Sequence, residues 1–159
     1  MRVDQVMKRA VHTCRPADEL DVPARRMQQE GCGCVVVVDD HRRPLAVVTD
    51  RDICLHALKS RRPLHELFVL EAMSSQLVTC RPGDSVVQAE AAMQAARVRR
   101  LPVVDAESRL VGILSLEDLA WRAARDSELF AHPVSAEEVG RTLALASRPH
   151  LESSEPPPL

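Results

Sequence analysis

The chain has 159 residues, enough for one ordinary domain or two very small ones, and 45% of them are hydrophobic while only 2% are aromatic. Any core must be aliphatic, which counts against the aromatic platforms on which single-stranded nucleic-acid modules stack bases. With 21 Lys and Arg against 23 Asp and Glu, the net charge of −2 leaves no basic footprint for a phosphate backbone at the scale of the whole chain.

Residues Met1 to Lys8 contain no apolar stretch of signal-peptide length, and nowhere do about eighteen apolar residues run together. The expectation is a soluble cytoplasmic protein with no membrane or nucleic-acid partner. An extended piece is predicted over Val11 to Cys14, followed by Pro16, which disfavours helix in the residue before it. Leu20, Ala24 and Met27 fall at helical spacing and predict a helix over Asp18 to Glu30. Two apolar runs, Val35 to Val38 and Leu45 to Val48, flank the polar Asp39 to Arg43 and read as a hairpin buried on both faces. A helix over Asp50 to about Leu58 follows, and then a connection from Lys59 to Leu70 whose Arg61 and Arg62 read as solvated linker.

The same order then recurs. Leu77 to Cys80 is extended, Asp84 to Ala96 is helical with Val86, Ala89 and Met93 on one face, and Leu101 to Val104 and Leu110 to Leu114 flank Asp105 to Arg109. A helix from Leu116 to about Asp126 closes the second round. Sliding the chain by 66 positions aligns Thr13-Cys14-Arg15-Pro16 with Thr79-Cys80-Arg81-Pro82, Val37-Val38-Asp39 with Val103-Val104-Asp105, and Asp52 with Asp118. The fold class is therefore α/β (α+β), with two β-α-β-β-α repeats over residues 1–62 and 63–126. A unit of roughly 60 residues is marginal alone, so the repeats are expected to pack sheet to sheet about a pseudo-twofold axis, leaving two equivalent clefts. Residues 127–159 form an extension in which Ser135-Ala136-Glu137-Glu138 reads as a capping box opening a helix to about Ala146. The end, from Ser153 to Leu159, is predicted to be disordered.

Five cysteines, an odd count without a secretory signal, argue against a disulfide framework. Cys32-Gly33-Cys34 lacks the two-residue spacer of redox pairs and common zinc knuckles. Small buried hydrophobes and a redox or metal site are the two readings of it. The six histidines, at 12, 41, 56, 65, 132 and 150, form no recognisable catalytic constellation, and a non-catalytic protein is expected.

Each hairpin-to-helix junction places a hydroxyl three residues before a carboxylate: Thr49 before Asp52, and Ser115 before Asp118. That is how a helix N-terminus is capped in any protein. It also offers free N–H groups to anionic oxygens and a carboxylate to a vicinal diol. The repeat order, Leu101-Pro102-Val103-Val104-Asp105 and Gly112-Ile113-Leu114-Ser115-Leu116-Glu117-Asp118-Leu119 together resemble a tandem pair of CBS (cystathionine-β-synthase) domains, a Bateman module, over about Val3 to Asp126.

The resemblance implies regulatory binding of AMP, ADP, ATP or S-adenosylmethionine between the repeats, with no obligatory cofactor. It also implies a homodimer, with a further protein partner left open. Asp52 and Asp118 would hold the ribose diol, with Thr49 and Ser115 facing ribose or phosphate. One cleft would join Val47, Thr49 and Asp52 to Thr79, Val98, Arg99 and Arg100; the other would join Ile113, Ser115 and Asp118 to Thr13, Cys32, Gly33 and Cys34. Arg97, Arg99 and Arg100 are either a solvated charge run or, for Arg99 and Arg100, the phosphate contacts that set the first cleft apart. The first repeat departs from the family pattern with Val35-Val36 in place of Leu-Pro and Ala46 in place of Gly. Two rival readings are an assembly scaffold with empty clefts and a redox or metal sensor through Cys32 and Cys34.

Overall fold

The computed structural model describes residues 1–74, 76–126 and 136–146. A 3₁₀ turn at Val3–Gln5 leads to strand β1 (Thr13–Cys14), helix α1 (Asp21–Glu30), strands β2 (Cys34–Val38) and β3 (Pro44–Thr49), and helix α2 (Asp50–Ser60). A second 3₁₀ turn at Leu64–Glu66 and the short helix α3 (Val69–Ala72) precede α4 (Val86–Ala96), β4 (Arg100–Val104), β5 (Leu110–Ser115) and α5 (Leu116–Asp126). Helix α6 (Ala136–Ala146) comes last. The Ser135 cap and the tail expected to be disordered lie outside the described residues.

Both early helices begin later than the sequence predicts. Asp18 and Asp84 are spent on turns: each carboxylate accepts the N–H three residues back, Arg15 at 2.8 Å and Arg81 at 2.7 Å. The Asp18 and Asp84 N–H groups donate in return to the Arg15 and Arg81 carbonyls, both at 3.1 Å. Helix can only start once those turns are closed. α1 ends at Gly31 (φ 60°), but α2 and α4 end at Arg61 (φ 53°) and Arg97 (φ 54°), left-handed positions that carry side chains.

β2 and β3 are antiparallel, and β1 adds to β2 in parallel. In the second repeat β4 and β5 pair alone, and the expected strand over Leu77 to Cys80 shrinks to one parallel bridge between Cys80 and Val103. The hairpin turns are closed by Asp39 and Asp105. Asp39 Oδ1 accepts N–H bonds from His41 and Arg43 at 2.9 and 2.8 Å, and Asp105 Oδ1 from Glu107 and Arg109 at 3.0 and 2.7 Å. The expectation of hairpins buried on both faces holds for β2, buried throughout, and for β4 beyond Arg100. It fails for β3 and for most of β5, which alternate. By the pleat of β3, Ala46 and Val48 face the helices while Val47 looks into a cleft.

Three apolar clusters follow from this pleat. Val35 and Val37 join Leu20, Met27 and Ile53 under the first pair of helices. Leu101, Val103 and Leu114 join Val86, Met93, Leu119 and Ala123 in the second. Between the sheets, Val36, Val38 and Leu110 form a third cluster flanked by Val11, Val47 and Ile113. The repeats thus pack sheet to sheet, as the fold class requires.

The leading segment of each repeat is buried in the other. Val3 and Met7 belong to the second repeat's core, whereas Leu67 and Val69 belong to the first's. Backbone bonds repeat at the same offset: Val3 N to Asp84 O at 2.9 Å matches Val69 N to Asp18 O at 2.9 Å. Likewise Val86 N to Met1 O at 3.1 Å matches Leu20 N to Leu67 O at 2.9 Å. α6 packs on α4 and α5, seating Val139 in the second core, and Gln94 Nε2 donates to Thr142 Oγ1 at 2.7 Å. Among the described residues no helix is long and apolar enough to cross a membrane.

Candidate ligand clefts

Thr49 is the N-cap of α2, with extended backbone (φ −113°, ψ 164°). Its Oγ1 accepts the Asp52 N–H at 3.3 Å and donates its own proton to Asp52 Oδ2 at 2.6 Å, while the Thr49 N–H reaches the same oxygen at 2.9 Å. Ser115 and Asp118 repeat the arrangement at 3.2, 2.6 and 3.0 Å. Capping therefore uses one oxygen of each carboxylate. The second oxygens differ. Asp52 Oδ1 has no hydrogen bond or ion pair among the described residues, whereas Asp118 Oδ1 takes the Lys8 ammonium at 2.8 Å.

Above each carboxylate lies a cleft. The Asp52 cleft, about 240 Å³, is lined by Val47, Thr49 and Asp52 together with Val98, Arg99 and Arg100, as expected, and also by Arg97, Ser74, Gln76, Leu77 and Val78. The Asp118 cleft, about 420 Å³, brings Ile113, Ser115 and Asp118 to Cys32, Gly33 and Cys34. It adds Lys8, Ala10, Val11, His12, Glu30, Gly31, Arg100 and Glu117. At an offset of 66 the two linings correspond almost residue for residue: Ser74 with Lys8, Val78 with His12, Arg97 with Gly31, Arg99 with Gly33. Thr13 and Thr79, expected in the sites, line neither cleft. By Thr13 the chain has already entered β1, opposite Val36, so the wall is made by the residues just before it.

The correspondence of lining positions is not a correspondence of charge. Around Asp118, two pairs of opposite sign close on one another, Lys8 with Asp118 and Arg100 Nη2 with both Glu117 oxygens at 3.0 and 3.1 Å, and His12 Nε2 lies 3.8 Å from Glu30. Hydrogen bonding and charge from Asp118 raise the Lys8 pKa above its ordinary value. Arg100, expected to serve the Asp52 cleft, lines both and spends its guanidinium on Glu117. The Arg97 and Arg99 side chains, by contrast, have no hydrogen-bond or ion-pair partner among the described residues and stand exposed at the Asp52 cleft.

Glu117 lay inside the motif that marked the second junction, but Lys8 was missed. The signal for it was faint, because the offset pairs it with Ser74, a residue of different charge. All five cysteines are free thiols. Burial pushes Cys14 and Cys80 up to about 12 and raises Cys34 as well, making thiolates scarce. Among the described residues no three His, Cys, Asp or Glu side chains gather as a metal site.

A family profile described as the CBS domain matches residues 3–59 and 69–124. The chain belongs to the CBS domain family. Its two CBS repeats are 36% identical over 118 residues to the CBS domain-containing protein YhcV of Bacillus subtilis, covering 74% of this chain and 82% of that one. An uncharacterized protein of Methanopyrus kandleri is 29% identical over 117 residues, which is 74% of this chain but 60% of the relative's length. In fold the chain resembles the crystal structure of the CBS domain pair of protein MJ0100 in complex with 5′-methylthioadenosine and S-adenosyl-L-methionine. That likeness has a TM-score of 0.67 at 22% identity, covering 77% of this chain and 98% of the other.

Proposed function

We propose that the chain is a non-catalytic regulatory module whose CBS repeats sense an adenosyl ligand, an adenine nucleotide or S-adenosylmethionine, and that the Asp52 cleft is the site for a phosphorylated one. The observation that carries this reading is the Asp52 Oδ1, uncommitted among the described residues, beside the Arg97 and Arg99 side chains, which have no partner among them either. A ribose diol can donate to that oxygen without breaking the cap, and phosphate oxygens can take the arginines without breaking an ion pair. Val47 and Val98 supply aliphatic walls for a purine. The cleft's volume of about 240 Å³ is below the usual ~300–1,000 Å³ of a ligand pocket. That suits a base and ribose inside, with phosphates lying out over the exposed arginines. Support from outside the chain is the ligand pair held by the MJ0100 repeats.

The module acts through its packing, as a homodimer that presents a changed surface to a partner in the cytoplasm. Calorimetric titration with AMP, ATP, S-adenosylmethionine and adenosine tests the reading. Asp52→Ala should weaken AMP binding about 10- to 100-fold, the worth of hydrogen bonds to a charged group, and Asp118→Ala should weaken it less. Heat-silent titrations with all four ligands, together with unmoved melting temperatures, would sink the proposal in favour of a scaffold with empty clefts. A bound ligand at a hundred times its Kd adds about 2.7 kcal/mol to stability, so the melting test is sensitive.

A further inference from the structure

The Asp118 cleft is the larger of the two, yet its carboxylate is already taken. Lys8 arrives there for a local reason. Gly112 on β5 lets the leading segment come so close that a Cβ would stand 2.7 Å from Met7 Sδ and 3.0 Å from the Lys8 carbonyl. In that contact Lys8 and Ile113 exchange two backbone hydrogen bonds, both 2.9 Å, and the Lys8 side chain reaches Asp118. In the first repeat Ala46 carries the methyl that Gly112 lacks, no such pair of bonds joins Ser74 to Val47 among the described residues, and Ser74 has no charge to offer Asp52.

From this we infer that Lys8 sets the ligand preference of the Asp118 cleft, disfavouring neutral adenosyl ligands and favouring anionic ones. The inference rests on the proposed binding of adenosyl ligands. A diol that uses Asp118 Oδ1 must displace the ammonium. With a neutral nucleoside the ammonium returns to solvent unpaired, so the ion pair is lost. With a phosphorylated ligand the displaced ammonium finds a new anion inside the same cavity, whose other standing cation, Arg100, is likewise drawn from an existing pair. Displacement is feasible because the Lys8 side chain is 68% exposed while Asp118 is only 9% exposed. The cation can swing out, and the acid cannot follow.

The experiment uses the full chain with Asp52→Ala, which silences the first cleft, and compares Lys8 with Lys8→Met and Lys8→Arg. Calorimetry with adenosine and with AMP reads the preference. In Lys8→Met, adenosine should bind about three- to fivefold more tightly and AMP more weakly by a similar factor, a scale set by the modest worth of a largely exposed ion pair. Lys8→Arg should keep the original preference. Raising NaCl from about 50 to 500 mM should strengthen adenosine binding when Lys8 is present and leave it flat in Lys8→Met, because salt screens the competing pair. An AMP-to-adenosine ratio that is the same in all three proteins overturns the inference and leaves the proposed function standing. So does an Asp52→Ala parent that binds neither ligand while the native chain binds both. A native chain that binds neither overturns the inference, and one that also leaves ATP and S-adenosylmethionine heat-silent, with unmoved melting temperatures, overturns both readings.

Discussion

At the scale of single residues, each helix start spends four atoms on its cap. The hydroxyl and acid at each helix start close a capping box, and one carboxylate oxygen is left over. The cap is legible in the spacing because capping is local. The fate of the spare oxygen is not, because it is decided by residue 8, which lies 110 positions away from Asp118 in the chain. Gly112 shows the same dependence. Nothing in its neighbours marks it as irreplaceable, but its missing Cβ is where Met7 and the Lys8 backbone pass. Gly112→Ala should cost about 1–3 kcal/mol, as overpacking does in tight cores, read as a lower urea midpoint. The equivalent position already carries a methyl in Ala46, so Ala46→Gly should not stabilise the fold.

Elements were foreseen where the periodic pattern was strong. Helices α2, α4 and α5 and all four hairpin strands stand within about two residues of their predicted ranges. What moved were the helix starts, where Asp18 and Asp84 close turns, and β1 with its counterpart, whose pairing depends on a neighbour's register. Helix α6 covers the second repeat's helices and leaves a consequence in α4. Glu90 is buried there, its Oε1 has no hydrogen-bond partner among the described residues, and burial first and Glu138 second raise its pKa. A carboxyl with a raised folded pKa favours the fold in its protonated form. That stabilisation is complete below the unfolded pKa, about 4.5, and is lost as pH rises through the folded value. Glu90→Gln should therefore melt above the native chain at pH 7.5, with the gap narrowing toward pH 4 in scanning fluorimetry.

For the whole molecule, the exchange of leading segments makes two marginal units one. Val3 stands in the first repeat by sequence and in the second core by packing, and Val69 is its mirror. Damage to either should be felt by both. Calorimetry should show one cooperative transition, and Val3→Ala should lower its midpoint without splitting it; two resolved transitions would contradict the exchange. The chain spans 60% of the Methanopyrus relative's length and 82% of the Bacillus one's.

The sequence by itself determined the repeat, its element order, the aliphatic core and the two capped carboxylates, because each follows from local periodicity or from a fixed offset. Tertiary structure alone decided that Thr13 and Thr79 stop short of the clefts, that Arg100 is bound to Glu117, and that Lys8 occupies Asp118. The physical reason is common to all three. An internal repeat conserves backbone shape, which depends on where apolar residues fall, whereas the charge of a cleft depends on which side chains from distant segments converge on it. Two clefts lined by matching positions can therefore hold opposite states, one carboxylate oxygen open among the described residues and its counterpart already paired.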